Sequence, residues 1–419
     1  MIPFENGRTL PARSLDFWFD YTCPYAYLGS TQAPALAARM GVELTYRPLL
    51  LGGVFRANET PQKLFATLSP AKAAHNLEDM QRWARRFGVT LVMPANHPMR
   101  SVEALRATLV TGSDPRVIAA FYCAYWVDNA DIADRAVIAK VVASCGHDAE
   151  LVLAAIETHC VKDELRARTD EAIALGIFGV PSWVVDGVHL YWGQDRMAFV
   201  EGLAREPGSA ARPGASTSLD VYWDFSSPFA YLGAMQAKAL AERTGARLTW
   251  RPTFLGGLFR SIGMADVPLA TFSPAKQRYI AKDIDRWAAY WGVPFRFPSR
   301  FPTSSVRALR VYLALPADRQ DGYRDAVFRA YWADDRDITD DAVLGSCVGD
   351  EAIAKAALAR ADTPEIKAEL RAATDQAAAR GVFGVPTYVV GAADLYWGQD
   401  RLELVEEALR AGGARSPAR

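Results

Sequence analysis

Apolar positions along this chain fall into two periodicities, and they alternate in the same order in each half. Leu15–Phe19 is a short apolar, aromatic run that suits a buried strand. It ends at Asp20. A turn follows, and a helix is predicted from Pro24, where the missing N–H of proline costs nothing. Val42–Tyr46 predicts a second strand. From about Thr60 to Leu175 the spacing is helical, with alanine-rich stretches such as Val117–Trp126 and Glu150–Thr158. Ser182–Val185 and Val188–Tyr191 flank Asp186-Gly187, a pair that favours a tight hairpin. A last helix is predicted from Asp195 to about Ala204. Strand, helix, strand, a long helical block, two strands and a helix predict an α/β unit with a mixed sheet and a helical insertion.

The second half repeats the first. Asp20-Tyr21-Thr22-Cys23-Pro24-Tyr25-Ala26-Tyr27-Leu28-Gly29 returns 204 residues on as Asp224-Phe225-Ser226-Ser227-Pro228-Phe229-Ala230-Tyr231-Leu232-Gly233. Ser69-Pro70-Ala71-Lys72 returns at Ser273–Lys276, Ala124-Tyr125-Trp126 at Ala330–Trp332, and Phe178-Gly179-Val180-Pro181 at Phe383–Pro386. Tyr191-Trp192-Gly193-Gln194-Asp195-Arg196 returns at Tyr396–Arg401. Small loop insertions account for the one- or two-residue drift, so a whole domain is duplicated rather than a short solenoid repeat. The expected boundaries are residues 1–205 and 218–412. Between them, residues 206–217 are rich in Pro, Gly and Ser and read as a linker; residues 413–419 read as a frayed tail.

Composition narrows the function. Of 419 residues, half are hydrophobic and 23% charged, with a formal net charge of −1. That balance gives no electrostatic reason to expect a nucleic acid or an anionic membrane as partner. No apolar run reaches transmembrane length, and the N-terminus shows no secretory pattern. The five cysteines are widely spaced without a CxxC pair, which fits a reducing cytosol better than a disulfide framework. The five histidines lack metal-ligand spacing, so no metal site is expected.

The copies differ where chemistry is expected. Cys23 and Ser227 stand at a strand-to-helix junction, where unpaired N–H groups carry about half a positive charge. A thiol there is expected to have a lowered pKa; a serine there can donate to an anion. The plain alternatives are a helix cap and a small buried hydrophobe. Val180-Pro181 and Val385-Pro386 open strands, either as simple punctuation or as cis prolines that leave backbone groups free for a peptide-like ligand. Asp195 and Asp400 either cap the last helix or hold an ammonium group. Lys72 and Lys276 either face a carboxylate or lie solvated.

Together these segments, with Leu51-Gly52-Gly53-Val54-Phe55, Leu255–Phe259, Arg82-Trp83 and Arg286-Trp287, resemble the DsbA-related branch of the thioredoxin superfamily. The resemblance is to 2-hydroxychromene-2-carboxylate isomerases and kappa-class glutathione transferases, and it covers both halves. It implies two tandem thioredoxin-like domains, each with a helical insertion, and glutathione as cofactor. It also implies that Ser227, and Cys23 in the first copy, stabilise the glutathione thiolate. Val180, Pro181, Val385 and Pro386 would pair with its cysteinyl group, and Asp195 and Asp400 would take its γ-glutamyl ammonium. Lys72, Lys276, Trp83 and Trp287 would line the cleft. Thr60, Met264, Arg100 and Ser304 stand where the isomerases carry asparagines. The implied activity is isomerisation or transfer on small aromatic or electrophilic substrates in the cytoplasm. The alternatives are a monothiol oxidoreductase run by Cys23, with no resolving cysteine in Cys23-Pro24-Tyr25-Ala26, and a degenerate binding domain. The halves are expected to form an internal pseudo-dimer; scattering from two independent lobes would contradict this.

Overall fold

The structure, a computed structural model, describes residues 14–203, 217–264 and 268–412. The expected linker, apart from Thr217, and the expected tail at 413–419 lie outside the described residues.

The first repeat runs β1 (Ser14–Phe19), α1 (Pro24–Met40), β2 (Glu43–Pro48), α2 (Leu51–Ala57), α3 (Pro70–Phe87), α4 (Val102–Val110), α5 (Pro115–Trp126), α6 (Arg135–Ser144), α7 (Ala149–Ala155), α8 (His159–Ala174), β3 (Ser182–Val185), β4 (His189–Trp192) and α9 (Met197–Val200). The second runs β5 (Ser218–Trp223), α10 (Pro228–Thr244), β6 (Arg247–Pro252), α11 (Leu255–Ser261), α12 (Pro274–Trp291), α13 (Val306–Ala314), α14 (Ala317–Trp332), α15 (Asp341–Val348), α16 (Glu351–Arg360), α17 (Pro364–Ala379), β7 (Thr387–Val390), β8 (Asp394–Trp397) and α18 (Leu402–Arg410).

Each repeat holds one four-stranded mixed sheet, ordered β2-β1-β3-β4 and β6-β5-β7-β8. β1 lies parallel to β2 and antiparallel to β3, in register Phe17↔Tyr46 and Phe17↔Trp183. An inner strand covered on both faces explains why Leu15–Phe19 reads as an unbroken apolar run. The hairpin turns at Asp186-Gly187, with φ of 52° and 72°, the positive values that a primed two-residue turn requires. The helical insertion is bolted to the strand ends by side chains. Trp126 Nε1 donates to the Tyr21 carbonyl at 2.8 Å, and Thr169 Oγ1 accepts from Leu50 N at 3.0 Å. Trp332 and Thr374 repeat both bonds, to the Phe225 carbonyl and from Phe254 N.

The chain condenses into two compact units that differ from the repeats in two short stretches. Among the described residues, the first unit holds 14–68, 76–203 and 272–280. The second holds 69–75, 217–264, 268–271 and 281–412.

Helix α1 approaches the sheet at Gly29 and α10 at Gly233, and the two approaches differ in tightness. A Cβ at Gly29 would lie 3.3 Å from the Phe17 ring, an absorbable contact. A Cβ at Gly233 would collide with the Tyr388 hydroxyl and lie 3.1 Å from Pro386. Alanine gains close to 1 kcal/mol over glycine inside a helix. Gly29→Ala should therefore be neutral or mildly stabilising, whereas Gly233→Ala should cost about 1–2 kcal/mol by overpacking. Thermal denaturation of the two variants checks this; adding Tyr388→Phe to Gly233→Ala should recover part of the loss.

Candidate active site

The strand-to-helix junction is set by a buried aspartate. Asp20 Oδ1 accepts from Thr22 N at 3.0 Å and Oδ2 from Leu51 N at 2.8 Å, joining the motif loop to the start of α2. Asp224 does the same with Ser226 N at 3.0 Å and Leu255 N at 2.6 Å. Burial pushes both carboxyls above their ordinary value, against these N–H groups, which favour the ionised form. Neither aspartate stands out in the sequence as more than part of the repeated motif.

Cys23 and Ser227 are the N-caps of α1 and α10. Both aim at the valine before the strand-opening proline: Cys23 Sγ donates to the Val180 carbonyl at 3.0 Å, and Ser227 Oγ to the Val385 carbonyl at 3.2 Å. Ser227 also accepts from Ala230 N at 3.2 Å, while Cys23 makes no capping bond. The expectation of a lowered Cys23 pKa is overturned. Loss of solvation outweighs the pull of the Ala26 and Tyr25 N–H groups, and burial pushes the thiol up to about 12. At neutral pH Cys23 is a thiol, a donor like the serine in the other repeat.

The Val180-Pro181 and Val385-Pro386 bonds are cis. Their carbonyls are engaged by Cys23 and Ser227, so the valine C=O groups are not both-ways free as expected. The loop is held from behind by the Trp-Gly-Gln-Asp-Arg turn. Gly193 N donates to the Pro181 carbonyl at 2.9 Å, and Gly398 N to that of Pro386 at 2.9 Å. Phe178 and Trp192 pack as tilted rings with centroids 4.9 Å apart, and Phe383 and Trp397 likewise 5.0 Å apart. A Cβ at Gly179 would meet Trp192 Nε1 at 2.9 Å, so the close approach demands glycine.

Asp195 and Asp400 follow this turn. Asp195 lies 2.8 Å from the Arg196 guanidinium, and Asp400 3.2 Å from that of Arg401. Each carboxylate thus already meets a cation from its own turn. Lys72 and Lys276 change company relative to the repeats. Lys276 belongs to the first unit, with Nζ 5.4 Å from the Trp192 ring centroid and 3.9 Å from that of Phe272. Lys72 belongs to the second, 4.9 Å from the Trp397 ring, and burial lowers its pKa. Trp83 is buried on α3 against Phe87, with centroids 5.3 Å apart. It sits one turn beyond Asp79, which accepts from the Tyr25 hydroxyl at 3.4 Å. Trp287 is buried on α12 with Trp291 at 4.7 Å; Phe229, in place of Tyr25, offers no hydroxyl there. Sequence reasoning missed Trp126, Thr169 and their copies, which hold the motif loop. The repeated Ala-Tyr-Trp was the available signal.

A small mixed sheet, a helix N-cap facing a cis-proline loop and a helical insertion between them define a thioredoxin-type unit. The DSBA-like thioredoxin domain matches residues 14–204 and again 218–410. The chain belongs to that family, in tandem duplication. It is 32% identical over 199 residues to a 2-hydroxychromene-2-carboxylate isomerase of Sphingobium xenophagum, covering 46% of this chain and 97% of the relative. It is 26% identical over 202 residues to glutathione S-transferase kappa 1 of Rattus norvegicus, covering 45% of this chain and 88% of that protein. A solved structure of 2-hydroxychromene-2-carboxylate isomerase matches at 27% identity with a TM-score of 0.42, covering 47% of this chain and 96% of that one. No helix among the described residues is long and apolar enough to cross a membrane, and all five cysteines are free.

Proposed function

We propose that this protein is a glutathione-dependent isomerase or transferase acting on small aromatic or electrophilic substrates, as the names of its relatives suggest. One observation carries the reading: in both repeats the helix N-cap presents a protonated donor, the Cys23 thiol and the Ser227 hydroxyl, beside a cis-proline loop. A donor at a helix N-terminus stabilises a neighbouring anion. The residues around it fit the tripeptide: backbone groups at Val180 and Val385 for its centre, Asp195 and Asp400 for its ammonium, and Lys276 and Lys72 for a carboxylate. Glutathione, when bound, would supply a nucleophilic thiol suited to electrophilic substrates. The chain's own residues would bind and orient it, and Ser227 and Cys23, by turning their single proton from the Val385 and Val180 carbonyls, would donate to its sulfur and favour the ionised form. Trp83 and Trp287 fit the apolar wall of the substrate cleft. The two repeats are read as an internal pseudo-dimer in a reducing cytoplasm, a setting that five free cysteines suit.

The monothiol alternative needs Cys23 as a thiolate, and burial opposes that. Calorimetric titration with glutathione tests the choice. Cys23→Ser should leave affinity within about twofold, because one donor replaces another, whereas Ser227→Ala should weaken the second site about tenfold, the loss of one hydrogen bond to a charge. No binding to the wild type would overturn the reading; thiol–disulfide exchange abolished by Cys23→Ser would favour the alternative.

A further inference from the structure

In each unit the Trp-Gly-Gln-Asp-Arg turn is held by a residue from the other repeat, and the two holds use different chemistry. β4 and β8 are edge strands, whose outward N–H groups need an acceptor from elsewhere. In the first unit, Trp192 N donates to the Tyr279 hydroxyl at 2.8 Å, and that hydroxyl lies 3.4 Å from the Trp192 carbonyl, to which it donates in return. In the second unit, Trp397 N donates to His75 Nε2 at 3.2 Å. This bond requires a free lone pair on Nε2, hence the tautomer protonated at Nδ1. Both rings are buried and meet a phenylalanine at a steep angle: Tyr279 lies 5.4 Å from Phe178, and His75 lies 5.4 Å from Phe383.

We infer that Tyr279 and His75 are positioning residues, one per site, that fix the turn bearing Asp195 or Asp400 against the cis-proline loop. Each grips the tryptophan main chain three residues before the aspartate. The same tryptophan's indole lies against Gly179 or Gly384, next to the valine that faces Cys23 or Ser227. One hydrogen bond thus sets the spacing between the two sides of the proposed ligand groove. The functional half of this inference rests on the glutathione reading; the hold itself does not.

The test uses the full chain labelled with 15N-tryptophan. His75→Phe keeps a ring and removes the acceptor; His75→Tyr restores an acceptor of the kind the first unit uses. In His75→Phe the Trp397 backbone amide should lose protection from hydrogen exchange, and the second site should bind glutathione about fivefold to tenfold more weakly, the worth of one net hydrogen bond. His75→Tyr should restore both to within about twofold. Tyr279→Phe and Tyr279→His should do the same at Trp192 and the first site. Unchanged Trp397 protection in His75→Phe would refute the hold. Lost protection with unchanged affinity, or no rescue by His75→Tyr, would refute the positioning role. A wild type that binds no glutathione overturns the functional reading and the positioning role together, while amide exchange still decides the hold.

Discussion

At pH 7 the Cys23 thiol should react with iodoacetamide about a thousandfold more slowly than a free small-molecule thiol. Alkylation proceeds through the thiolate, and an ordinary cysteine titrates near 8.5. Raising the thiol to about 12 removes more than three decades of thiolate at neutral pH. The sign follows from the burial: a protonated sulfur is the form that a poorly solvated site prefers, and the helix N-terminus offers too few N–H groups to reverse it. Between pH 7 and 9 the rate should rise close to tenfold per unit without levelling. Peptide-resolved mass spectrometry over a time course gives the rate for Cys23 separately from exposed Cys123 and Cys160. A fast, pH-independent reaction below pH 7 would mean a thiolate, and would hand the first repeat to oxidoreductase chemistry.

Asp224→Ala should destabilise the protein by about 3 kcal/mol, since it removes a fully buried carboxylate and strands the two part-buried N–H groups it satisfies, those of Ser226 and Leu255. Each buried donor left without an acceptor costs about 1–3 kcal/mol. Asp224→Asn should cost roughly half as much, because the two N–H groups use different carboxylate oxygens and the amide retains one. The carboxyl also titrates above its ordinary value when folded. Its favourable contribution is therefore present in full below the unfolded value, near pH 3.9, and is lost as pH rises through the folded value. Urea melts from pH 4 upward should show that slope in the wild type and a flatter one in Asp224→Asn. An Asp224→Ala protein as stable as the wild type would show that Leu255 N and Ser226 N find other partners.

The fold was legible because its strands carry their burial in their composition. Leu15–Phe19 and Ser182–Val185 could be placed nearly to the residue, and the duplicated words gave the two-domain order without any structure. The sequence offered candidate residues for the site but not their electrostatics. Cys23 Sγ meets the Val180 carbonyl, 157 residues away, and no local pattern records that contact. Nor does helical periodicity record which unit takes the first turns of α3 or α12. Ser-Pro-Ala-Lys predicts a helix start; only three-dimensional packing sends Lys72 to Trp397 and Lys276 to Trp192. The role of Trp126 was hidden for a similar reason, since an indole that anchors a carbonyl 105 residues upstream looks like any core aromatic.

The stretches 69–75 and 272–280 also bear on how the halves can change with time. Each is encoded in one repeat and packs with the other, so a codon altered at Lys72 or His75 is felt at Trp397. Neither half then encodes every residue of its own unit. A gene cut between the repeats would separate Lys72 from Trp397 and Lys276 from Trp192, the rings that each meets within its unit.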